Sequence, residues 1–358
     1  MKILIFHTYN QGYLSSFFHE LAVKLIQEGH EVASFSWKAT VSERIIDQVK
    51  VIVKKKEGYL INYCNVYNVI KKEKPDVILS NFSYVNPALL FGKLFGIKQN
   101  MVWFHSLNEQ MKASKRNIFI KKHFLKFADI VIANSYLTQN ELCEFYEVPT
   151  TKIHAIPFWS TILEQKMEPS DLKFITEKNT VKIGCPGRMA THKNQKIIID
   201  TLSELINSSK TNFHIYFAGT GEQLTNLVNQ VEELNLTHKV TFLKHLSAND
   251  MLHFYNSMDV VVLPSLHEAF GLVFIEAIAL GTPVIVSSQF GALSFIDQKH
   301  TDLKKITFNP KCPKDLLNKL LPYVNHQGLP KEIFKQLYAS NFDKEVIFKK
   351  ILNIIKTA

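Results

Sequence analysis

The sequence predicts an α/β protein built from two doubly wound parallel sheets, one in each half of the chain. Short apolar runs alternate with longer amphipathic segments, a pattern typical of parallel sheets covered by helices. The alternation stops once, in a polar stretch at 161–180, and then restarts. The length of 358 residues suits about two domains. We therefore expect domains over 1–160 and 181–340, a linker over 161–180 and a C-terminal helix over 341–358.

Eleven apolar runs predict strands, at 2–6, 31–36, 76–79, 100–104, 130–133, 153–156, 181–185, 213–218, 240–243, 259–263 and 283–287. Between the first two runs, apolar residues recur at helical spacing from Phe17 to Ile26, and Gly29 follows where that helix would end. Two further helical patterns, at 313–324 and 342–356, close the chain. Ligands of doubly wound sheets bind beyond the carboxyl ends of the strands, so we expect a cleft lined by the turns that follow these runs.

The composition is that of an ordinary globular protein, with 46% hydrophobic and 21% charged residues. Its cysteines are far apart and form no CxxC pair; they are Cys64, Cys143, Cys185 and Cys312. This spacing favours reduced thiols in a cytoplasmic protein over a zinc site or a disulfide framework. The apolar run at 2–6 is too short for a signal peptide, and no stretch of 18 apolar residues predicts a membrane span.

The formal charge of +10 indicates a polyanionic partner, such as nucleic acid, an anionic membrane or a nucleotide diphosphate. Six of the cations lie within 111–128, which holds no acid and has apolar residues between the cations; they are Lys112, Lys115, Arg116, Lys121, Lys122 and Lys126. A basic amphipathic helix of this kind can lie on the inner face of an anionic membrane. The alternative is a solvated helix face packed on its own domain.

The segment 267–281 contains the most informative spacing in the chain. Glu268 stands in a polar turn after an apolar run, and Glu276 stands eight positions later within a helical pattern that begins near Gly271. The start of a helix offers unpaired N–H groups and a positive dipole end, which suit a phosphate. One acid before that start and one inside the helix could reach hydroxyls on either side of a diphosphate. The alternative is that the helix dipole alone favours a glutamate there.

Other predicted strand ends carry polar or glycine-rich turns. Arg188 and Lys193 follow the run at 181–185, and two fixed cations can neutralise a diphosphate leaving group, although solvated loop cations explain them equally well. Gly219 opens a tight turn after 213–218, and Lys244, His245 and Leu246 follow 240–243; in one sheet, all these turns share an edge.

Two residues in the first half are also candidates, because each follows the end of a predicted strand. His105 directly follows the run at 100–104, where it could donate a hydrogen bond to a substrate hydroxyl or stabilise a developing charge. A histidine with a purely structural role is the alternative. Gly12 follows the first strand and would permit close approach of the backbone to a phosphate or an acceptor.

These motifs resemble the retaining glycosyltransferases of family 4, whose hallmark is two glutamates separated by seven residues. Glu268 and Glu276 match that hallmark, and Gly281-Thr282-Pro283 follows as in the family. Further matches are Gly187-Arg188 with Lys193, the run 218–221, the run 258–265 and, in the first half, 29–32 and 128–135. The resemblance implies the GT-B architecture of two Rossmann-like domains, with acceptor binding over 1–160 and nucleotide-sugar binding over 181–340. In that architecture a C-terminal helix can cross back to the first domain.

The resemblance also implies roles. Glu268 would bind hydroxyls of the transferred sugar, Glu276 the ribose, and Arg188 and Lys193 the leaving diphosphate. Backbone at Phe270, Gly271, Leu272 and Val273 would meet the phosphates and the sugar, Gly219 and 244–246 would border the nucleotide, and His105 would contact the sugar near the reacting carbon. No metal and no cofactor are implied beyond the UDP- or GDP-linked sugar, which is the substrate.

The implied reaction is hexosyl transfer to a glycan or lipid-linked acceptor in cell-envelope polysaccharide synthesis. A nucleotide-sugar 2-epimerase on the same fold is the alternative enzyme, and a nucleic-acid-binding protein is less favoured because no recognition motif is present. The chain departs from the family at its first loop, which has the single glycine Gly12, at Phe158-Trp159-Ser160, and at Phe290-Gly291-Ala292.

Overall fold

The computed structural model describes residues 1–10, 12–38, 40–175, 177, 179–209, 211–297 and 303–356. The chain divides into two compact units. The first contains Met1–Trp159 together with the C-terminal segment from Lys344, and the second contains Ser160–Asp343. All eleven predicted strands are present, with ends within two residues of the predicted ones.

The first unit has an eight-stranded sheet in the order β3-β4-β2-β1-β5-β6-β7-β8. Its strands are β1 (Lys2–Phe6), β2 (Glu31–Lys38), β3 (Ser42–Ile46), β4 (Val49–Lys55), β5 (Val77–Asn81), β6 (Gln99–Phe104), β7 (Ile130–Ala133) and β8 (Ile153–Ala155). Its helices are α1 (Tyr13–Gln27), α2 (Tyr59–Glu73), α3 (Val85–Leu94), α4 (Asn108–Met111), α5 (Lys115–Leu125) and α6 (Tyr136–Glu144). Gly29, at φ 83°, follows α1 as predicted and donates its N–H to the Ile26 carbonyl.

The strands β3 and β4, and the two-residue strand Thr307–Phe308 of the second unit, were not predicted from the sequence. The expectation of a purely parallel sheet is corrected accordingly, because β3 runs antiparallel to β4 at the sheet edge. The exposed centre of β3, Glu43-Arg44-Ile45, shows no run of apolar residues. An edge strand of this kind is held by its ladder with β4, a pairing that no local pattern predicts.

The second unit has a six-stranded parallel sheet in the order β11-β10-β9-β12-β13-β14. Its strands are β9 (Val181–Pro186), β10 (Phe213–Ala218), β11 (Val240–Leu243), β12 (Val260–Leu263), β13 (Val284–Ser287) and β14 (Thr307–Phe308). Its helices are α7 (Lys196–Ser208), α8 (Leu224–Glu233), α9 (Ala248–Ser257), α10 (Leu272–Ala279), α11 (Leu303–Ile306), α12 (Pro313–Val324) and α13 (Lys331–Asn341). This strand order is that of the Rossmann fold, in which the connections reverse direction beside the first strand.

The last helix, α14 (Lys344–Lys356), packs within the first unit. Lys344 binds Glu20 of α1 at 2.6 Å, and Glu345 binds Lys24 at 2.7 Å. The buried face of α14 includes Ile347 and Ile351, so apolar packing accompanies these ion pairs. The chain therefore ends, in the described residues, on the unit in which it begins.

Aromatic packing explains why this sequence differs from the family pattern at Phe158 and Trp159. The Phe158 ring stacks on Trp103 with ring centroids 5.1 Å apart, and Trp159 packs on Phe17 at 4.2 Å. The Trp159 Nε1–H also donates to a Glu20 carboxylate oxygen at 2.8 Å. Both residues are buried, so this segment completes the core of the first unit.

Candidate functional site

The candidate site of the second unit lies where β9 and β12 end side by side. These neighbouring strands are the point at which the strand order reverses, and ligands of Rossmann-like sheets bind in the crevice beyond it. The turn after β9 carries Arg188 and Lys193, and the turn after β12 carries Glu268. The two turns are tied together, because the Leu266 N–H donates to the His192 carbonyl at 2.8 Å.

Lys193 and Glu268 form an ion pair in this crevice. Their side chains are 20% and 10% exposed, so the pair is largely shielded from water. The Ser265 hydroxyl approaches the same carboxylate oxygen at 3.5 Å. The structure thus brings together two residues 75 positions apart that the sequence analysis had placed in one site. In such a shielded place, water screens the attraction between the two charges less than it would at an exposed surface.

Arg188 is placed differently. Its side chain is 72% exposed and lies 3.3 Å from Glu222, so the cation projects from the sheet edge instead of entering the pair. Its backbone is held firmly, because the Gln195 side chain donates to the Arg188 carbonyl at 3.0 Å. The Arg188 guanidinium is thus a largely solvated cation whose partner is the exposed carboxylate of Glu222.

The turns after β9 and β10 touch through glycines. Gly219 has φ 144°, and a Cβ built on it would lie 2.2 Å from the Gly187 carbonyl oxygen. Gly221 has φ 159°, and its Cβ would lie 2.2 Å from the Met189 carbonyl oxygen. The close approach of the two backbones therefore explains why both positions of the Gly-x-Gly turn are glycine. The sequence alone gave only weak evidence for a special role of these glycines.

Gly271 shapes the start of α10. It is the N-cap residue at φ 99°, and a Cβ there would collide with the Phe290 ring at 2.3 Å. Leu272 and Val273 follow in the first helical turn, whose N–H groups have no helical acceptor. Phe270 is buried and accepts a hydrogen bond from the Ala292 N–H at 2.9 Å.

Residues 290–292, where the sequence differs from the family pattern, hold the backbone of the segment that carries Glu268. The Gly291 N–H donates to the Glu268 carbonyl at 3.0 Å, and Glu268 and Phe290 form an isolated parallel bridge. Two adjacent backbone contacts therefore fix Glu268 just before α10. The side chain of Phe290 occupies the space that the glycine at 271 leaves open.

Glu276 lies inside α10 and is 2% exposed. The Tyr255 hydroxyl, on α9, donates to one of its carboxylate oxygens at 2.8 Å. Burial raises the pKa of Glu276 to about 7, and the Tyr255 hydrogen bond opposes part of that rise. The sequence analysis missed Tyr255, because a tyrosine in an amphipathic helix resembles an ordinary core residue. Glu276 makes no hydrogen bond to Lys193 or Glu268, so the two glutamates occupy separate environments.

The raised pKa of Glu276 predicts a pH-dependent stability of the second unit. The carboxyl has a pKa of 4.5 in the unfolded chain and about 7 in the fold, so the folded state holds the proton more tightly. The stability that this proton contributes is present below about pH 4.5 and is lost as the pH rises to about 7. We expect the melting temperature to fall across this window and the Glu276→Gln variant to lack that part of the slope.

Thermal denaturation at several pH values measures this effect. Glu233→Gln, which changes an exposed carboxylate at the end of α8, serves as the matched control and should keep the wild-type slope. Equal slopes for wild type and Glu276→Gln would show that the buried carboxyl does not titrate in this range.

The turn at 244–246 follows β11, which forms one edge of the sheet. Lys244 and His245 are exposed and Leu246 is half-buried. The next residue, Ser247, caps α9 by accepting a hydrogen bond from the Asp250 N–H at 3.1 Å. The turn is two strands away from β9, so it lies at the side of the crevice and not with the ion pair.

In the first unit, His105 follows β6 as predicted. Its Nε2 lies 2.5 Å from the Asn81 Oδ1, and its ring stacks on Phe82 with centroids 4.7 Å apart. Burial of the ring, together with the nearby charge of Lys121, lowers the pKa of His105 to about 3. The imidazole is therefore neutral at physiological pH and does not supply a positive charge. Its single N–H is donated to the Asn81 Oδ1, which leaves Nδ1 as an acceptor, so the expected donor role is not available in this arrangement. Asn81 was missed, although its place at the end of β5 was a signal.

Gly12 is exposed and is the N-cap residue of α1, with an ordinary φ of −86°. Its N–H donates to the Asn10 side chain at 2.9 Å. A Cβ at this position would meet only that flexible side chain, at 3.0 Å. The conformation therefore does not require glycine here, unlike at Gly219 and Gly271.

The basic segment 111–128 contains α5, which begins after its N-cap Ser114 and ends at Leu125. Lys121 turns toward the sheet and lies 5.0 Å from the Phe104 ring centroid, and burial lowers its pKa. Lys122 forms an ion pair with Glu147. Four of the six cations remain exposed, and so do the rings of Phe119 and Phe127; these cations are Lys112, Lys115, Arg116 and Lys126. The contacts of Lys121 and Lys122 agree with a helix packed on its own domain, and contact with a membrane stays a prediction.

Two further findings apply to the part of the chain that the structure describes. None of its helices combines the length and the apolar character that crossing a bilayer requires. Within the same residues, no three His, Cys, Asp or Glu side chains form a group that could hold a metal ion. Metal-independent catalysis stays a prediction of the sequence.

Comparison with family models assigns both halves of the chain. The model for Glycosyltransferase Family 4 matches residues 14–158, and the model for group 1 glycosyl transferases matches residues 169–338. The chain belongs to the family 4 glycosyltransferases. The family membership inferred from the motifs is confirmed, and so is the fold of two Rossmann-like domains typical of the GT-B class.

Individual relatives of this glycosyltransferase chain are distant. An uncharacterized glycosyltransferase of Methanocaldococcus jannaschii is 27% identical over 243 residues, which are 64% of this chain and 60% of that protein. The O-antigen chain mannosyltransferase of Salmonella typhimurium is 30% identical over 169 residues, which are 47% of this chain and 45% of that protein. The matched part thus spans less than two thirds of either relative.

A solved structure extends the likeness over the whole chain. The structure of an Anabaena protein in complex with UDP-glucose matches 100% of both chains, with a TM-score of 0.78 and 20% identity. At this identity the match establishes the shared fold. The identity of the donor and of the acceptor requires chemical arguments from the site.

Proposed function

We propose that this chain is a retaining, metal-independent glycosyltransferase that transfers a hexose-type sugar from a UDP- or GDP-linked donor. The observation that carries the proposal is the shielded Lys193–Glu268 pair beyond β9 and β12, directly before the start of α10. A cation, a carboxylate and free helical N–H groups in one crevice match the needs of a sugar diphosphate. The Anabaena protein of the same fold binds UDP-glucose, which favours this donor class.

Each residue has a distinct task in this proposal. Lys193 neutralises the diphosphate as the bond to the sugar breaks, and Glu268, released in part from its cation, accepts hydrogen bonds from sugar hydroxyls. The exposed Arg188 turns from Glu222 toward the phosphates. The N–H groups at the start of α10 meet the phosphates, and Glu276 accepts hydrogen bonds from the ribose when it is ionised. His105 is a neutral imidazole whose single N–H faces the Asn81 Oδ1, and its Nδ1 accepts a hydrogen bond from a hydroxyl of the transferred sugar.

We propose a glycan or lipid-linked acceptor in cell-envelope polysaccharide synthesis. The Salmonella relative, named for mannosyl transfer to the O-antigen chain, supports this acceptor class. A cytoplasmic protein bound peripherally at the inner membrane face would suit such an acceptor. The exposed cations and phenylalanines of the segment 111–128 provide a surface for that contact, which co-sedimentation with anionic vesicles tests.

A panel of nucleotide sugars tests the donor proposal. A UDP- or GDP-linked hexose should raise the melting temperature of the full chain, because a ligand of the folded state stabilises it by linkage. The same compound should be turned over in the presence of acceptor extracts and should give a product with the anomeric configuration of the donor. EDTA should leave this turnover unchanged.

Two outcomes would contradict the proposal. If no nucleotide sugar stabilises the protein or is turned over, the crevice does not bind this donor class. If the donor is converted without acceptor into its 2-epimer, the chain is a nucleotide-sugar 2-epimerase on the same fold.

A further inference from the structure

A pocket in the first unit lies outside the candidate site described above. It has a volume of about 560 Å³ and lies where the β1–α1 turn, the end of β2 and the edge strand β3 meet. This volume is within the range of small-molecule sites, which is roughly 300–1,000 Å³. The residues that line it include Tyr9, Ser16, Lys38, Ser42 and Arg44. Its wall is polar and includes two cations, so its chemistry differs from that of an apolar groove.

The two cations of the pocket have no acidic partner. Among the residues that the structure describes, neither Lys38 nor Arg44 forms an ion pair or a hydrogen bond through its side chain. Lys38 is half-buried at the end of β2, and Arg44 lies on β3. Two uncompensated cations that line one pocket attract an anion, and the half-buried one is less screened by water than a surface charge.

The pleat of β3 keeps the nearest acid of the strand away from the pocket. Ser42 and Arg44 are two residues apart and leave the same face of the strand, whereas Glu43 leaves the opposite face. There, Glu43 binds Lys72 at 3.1 Å and Lys50 at 3.5 Å. A second acid, Asp47, is bound to His19 at 2.8 Å. Neither acid is among the residues that line the pocket, and the two cations Lys38 and Arg44 outnumber Asp47, so the pocket keeps a net positive charge.

The opposite wall is fixed before any ligand arrives. The Tyr9 N–H donates to the Ser36 hydroxyl at 2.9 Å, and the Asn10 N–H donates to the Ser15 hydroxyl at 3.0 Å. These bonds anchor the β1–α1 turn to β2 and to α1. A preformed wall lowers the ordering cost of binding.

We propose that this pocket binds a phosphate ester carried by the acceptor. The planar guanidinium of Arg44 suits bidentate contact with phosphate oxygens, Lys38 adds a second charge, and the hydroxyls of Ser42 and Tyr9 can bind an attached sugar or glycerol. Naming this ligand as the acceptor rests on the proposed transferase function. The binding of a phosphate ester in this pocket does not.

Calorimetric titration of the full chain tests the site. The probes are glucose 6-phosphate, dihexanoyl phosphatidic acid below its micelle concentration, and glucose as the uncharged match. We expect at least one phosphorylated probe to bind and glucose to bind at least tenfold more weakly. The variant Lys38→Ala/Arg44→Ala should bind the phosphorylated probe at least tenfold more weakly than wild type. The ratio of the two phosphorylated probes distinguishes a soluble sugar phosphate from a lipid phosphate.

Two control variants separate this pocket from general charge effects and from the donor site. Lys349→Ala/Lys350→Ala removes the same charge from exposed positions of α14 in the same unit, and it should bind like wild type. Arg188→Ala/Lys193→Ala removes the cations of the second unit and should also keep phosphate-probe binding. The pocket assignment is overturned if no phosphorylated probe binds better than glucose, or if Lys38→Ala/Arg44→Ala binds as wild type does.

Titration with UDP and GDP sugars on the same samples keeps the two proposals distinguishable. Binding of the phosphate probe without binding of any nucleotide sugar would support the pocket and contradict the donor proposal. Nucleotide-sugar binding that persists while the phosphate-probe test fails would contradict the pocket alone.

Discussion

Replacing Lys193 with alanine is expected to lower turnover at least about a hundredfold, the size seen when one preorganised donor to a developing charge is removed. Lys193 is a cation in the crevice beyond the switch point of the second sheet, and it is only 20% exposed. Charge that develops on a leaving diphosphate would therefore be weakly screened there. Steady-state kinetics with the nucleotide sugar found in the donor panel measures the loss.

Glu268→Ala is expected to lower turnover to a similar degree, because it removes the other half of the pair. The two residues are in contact, so their effects should not add: the double variant should lose less than the product of the single losses. Lys196→Ala is the matched control. It removes an exposed lysine at the start of α7, paired with Asp200 at 2.7 Å, and should keep near-normal turnover.

Circular dichroism and thermal denaturation of each variant separate catalysis from folding. A variant that melts like wild type and turns over at least about a hundredfold more slowly supports a role in the reaction. Near-normal turnover of Lys193→Ala or Glu268→Ala would remove that residue from the proposed mechanism. A lower melting temperature with unchanged turnover would assign the pair to stability.

Gly219→Ala is expected to destabilise the second unit by roughly 3 kcal/mol, because it combines backbone strain with a steric collision. The residue has φ 144°, and the new Cβ would lie 2.2 Å from the Gly187 carbonyl oxygen and 3.0 Å from its carbonyl carbon. These are backbone atoms, so no rotamer change relieves the contact. The Gly187 N–H also donates to the Ala218 carbonyl at 2.9 Å, which limits separation of the two turns.

Two other glycines separate the contributions to that loss. Gly187 has φ 139°, but a Cβ there meets nothing within 4 Å, so Gly187→Ala should show the strain of the conformation alone. Gly58 has φ −64° and open space, so Gly58→Ala should be close to neutral. Urea denaturation gives the three free energies of unfolding. If Gly219→Ala costs no more than Gly187→Ala, the two turns can move apart and the close approach is not required.

Local patterns predicted most of the fold for a physical reason. Most of the β-strands that the sequence revealed are buried on both faces, so they appear as continuous apolar runs; β6 and β10, for example, are buried at every position. Helices such as α1 bury one stripe, which gives the helical spacing of Phe17, Phe18 and Leu21. The strand β3 lacks either signal, because it is exposed and depends on its neighbour.

The environment of each candidate residue depended on the tertiary structure. The sequence placed Lys193 and Glu268 at the ends of separate strands, and their contact follows from the pairing of β9 with β12. It treated Glu276 as an equal partner of Glu268, whereas α9 covers this carboxylate with Tyr255 and raises its pKa. It gave no reason to connect Lys38 with Arg44, which share a pocket because β3 folds back beside β4.

The amino-acid sequence by itself determined the two Rossmann-like units, the family and the strand ends at which function was expected, because periodicity and short motifs are local properties of the chain. The tertiary structure alone decided which charges are paired, buried or left without a partner. Those properties depend on neighbours far away in the chain, such as the 75 positions between Lys193 and Glu268, and Coulomb and desolvation energies depend on distance and burial in space.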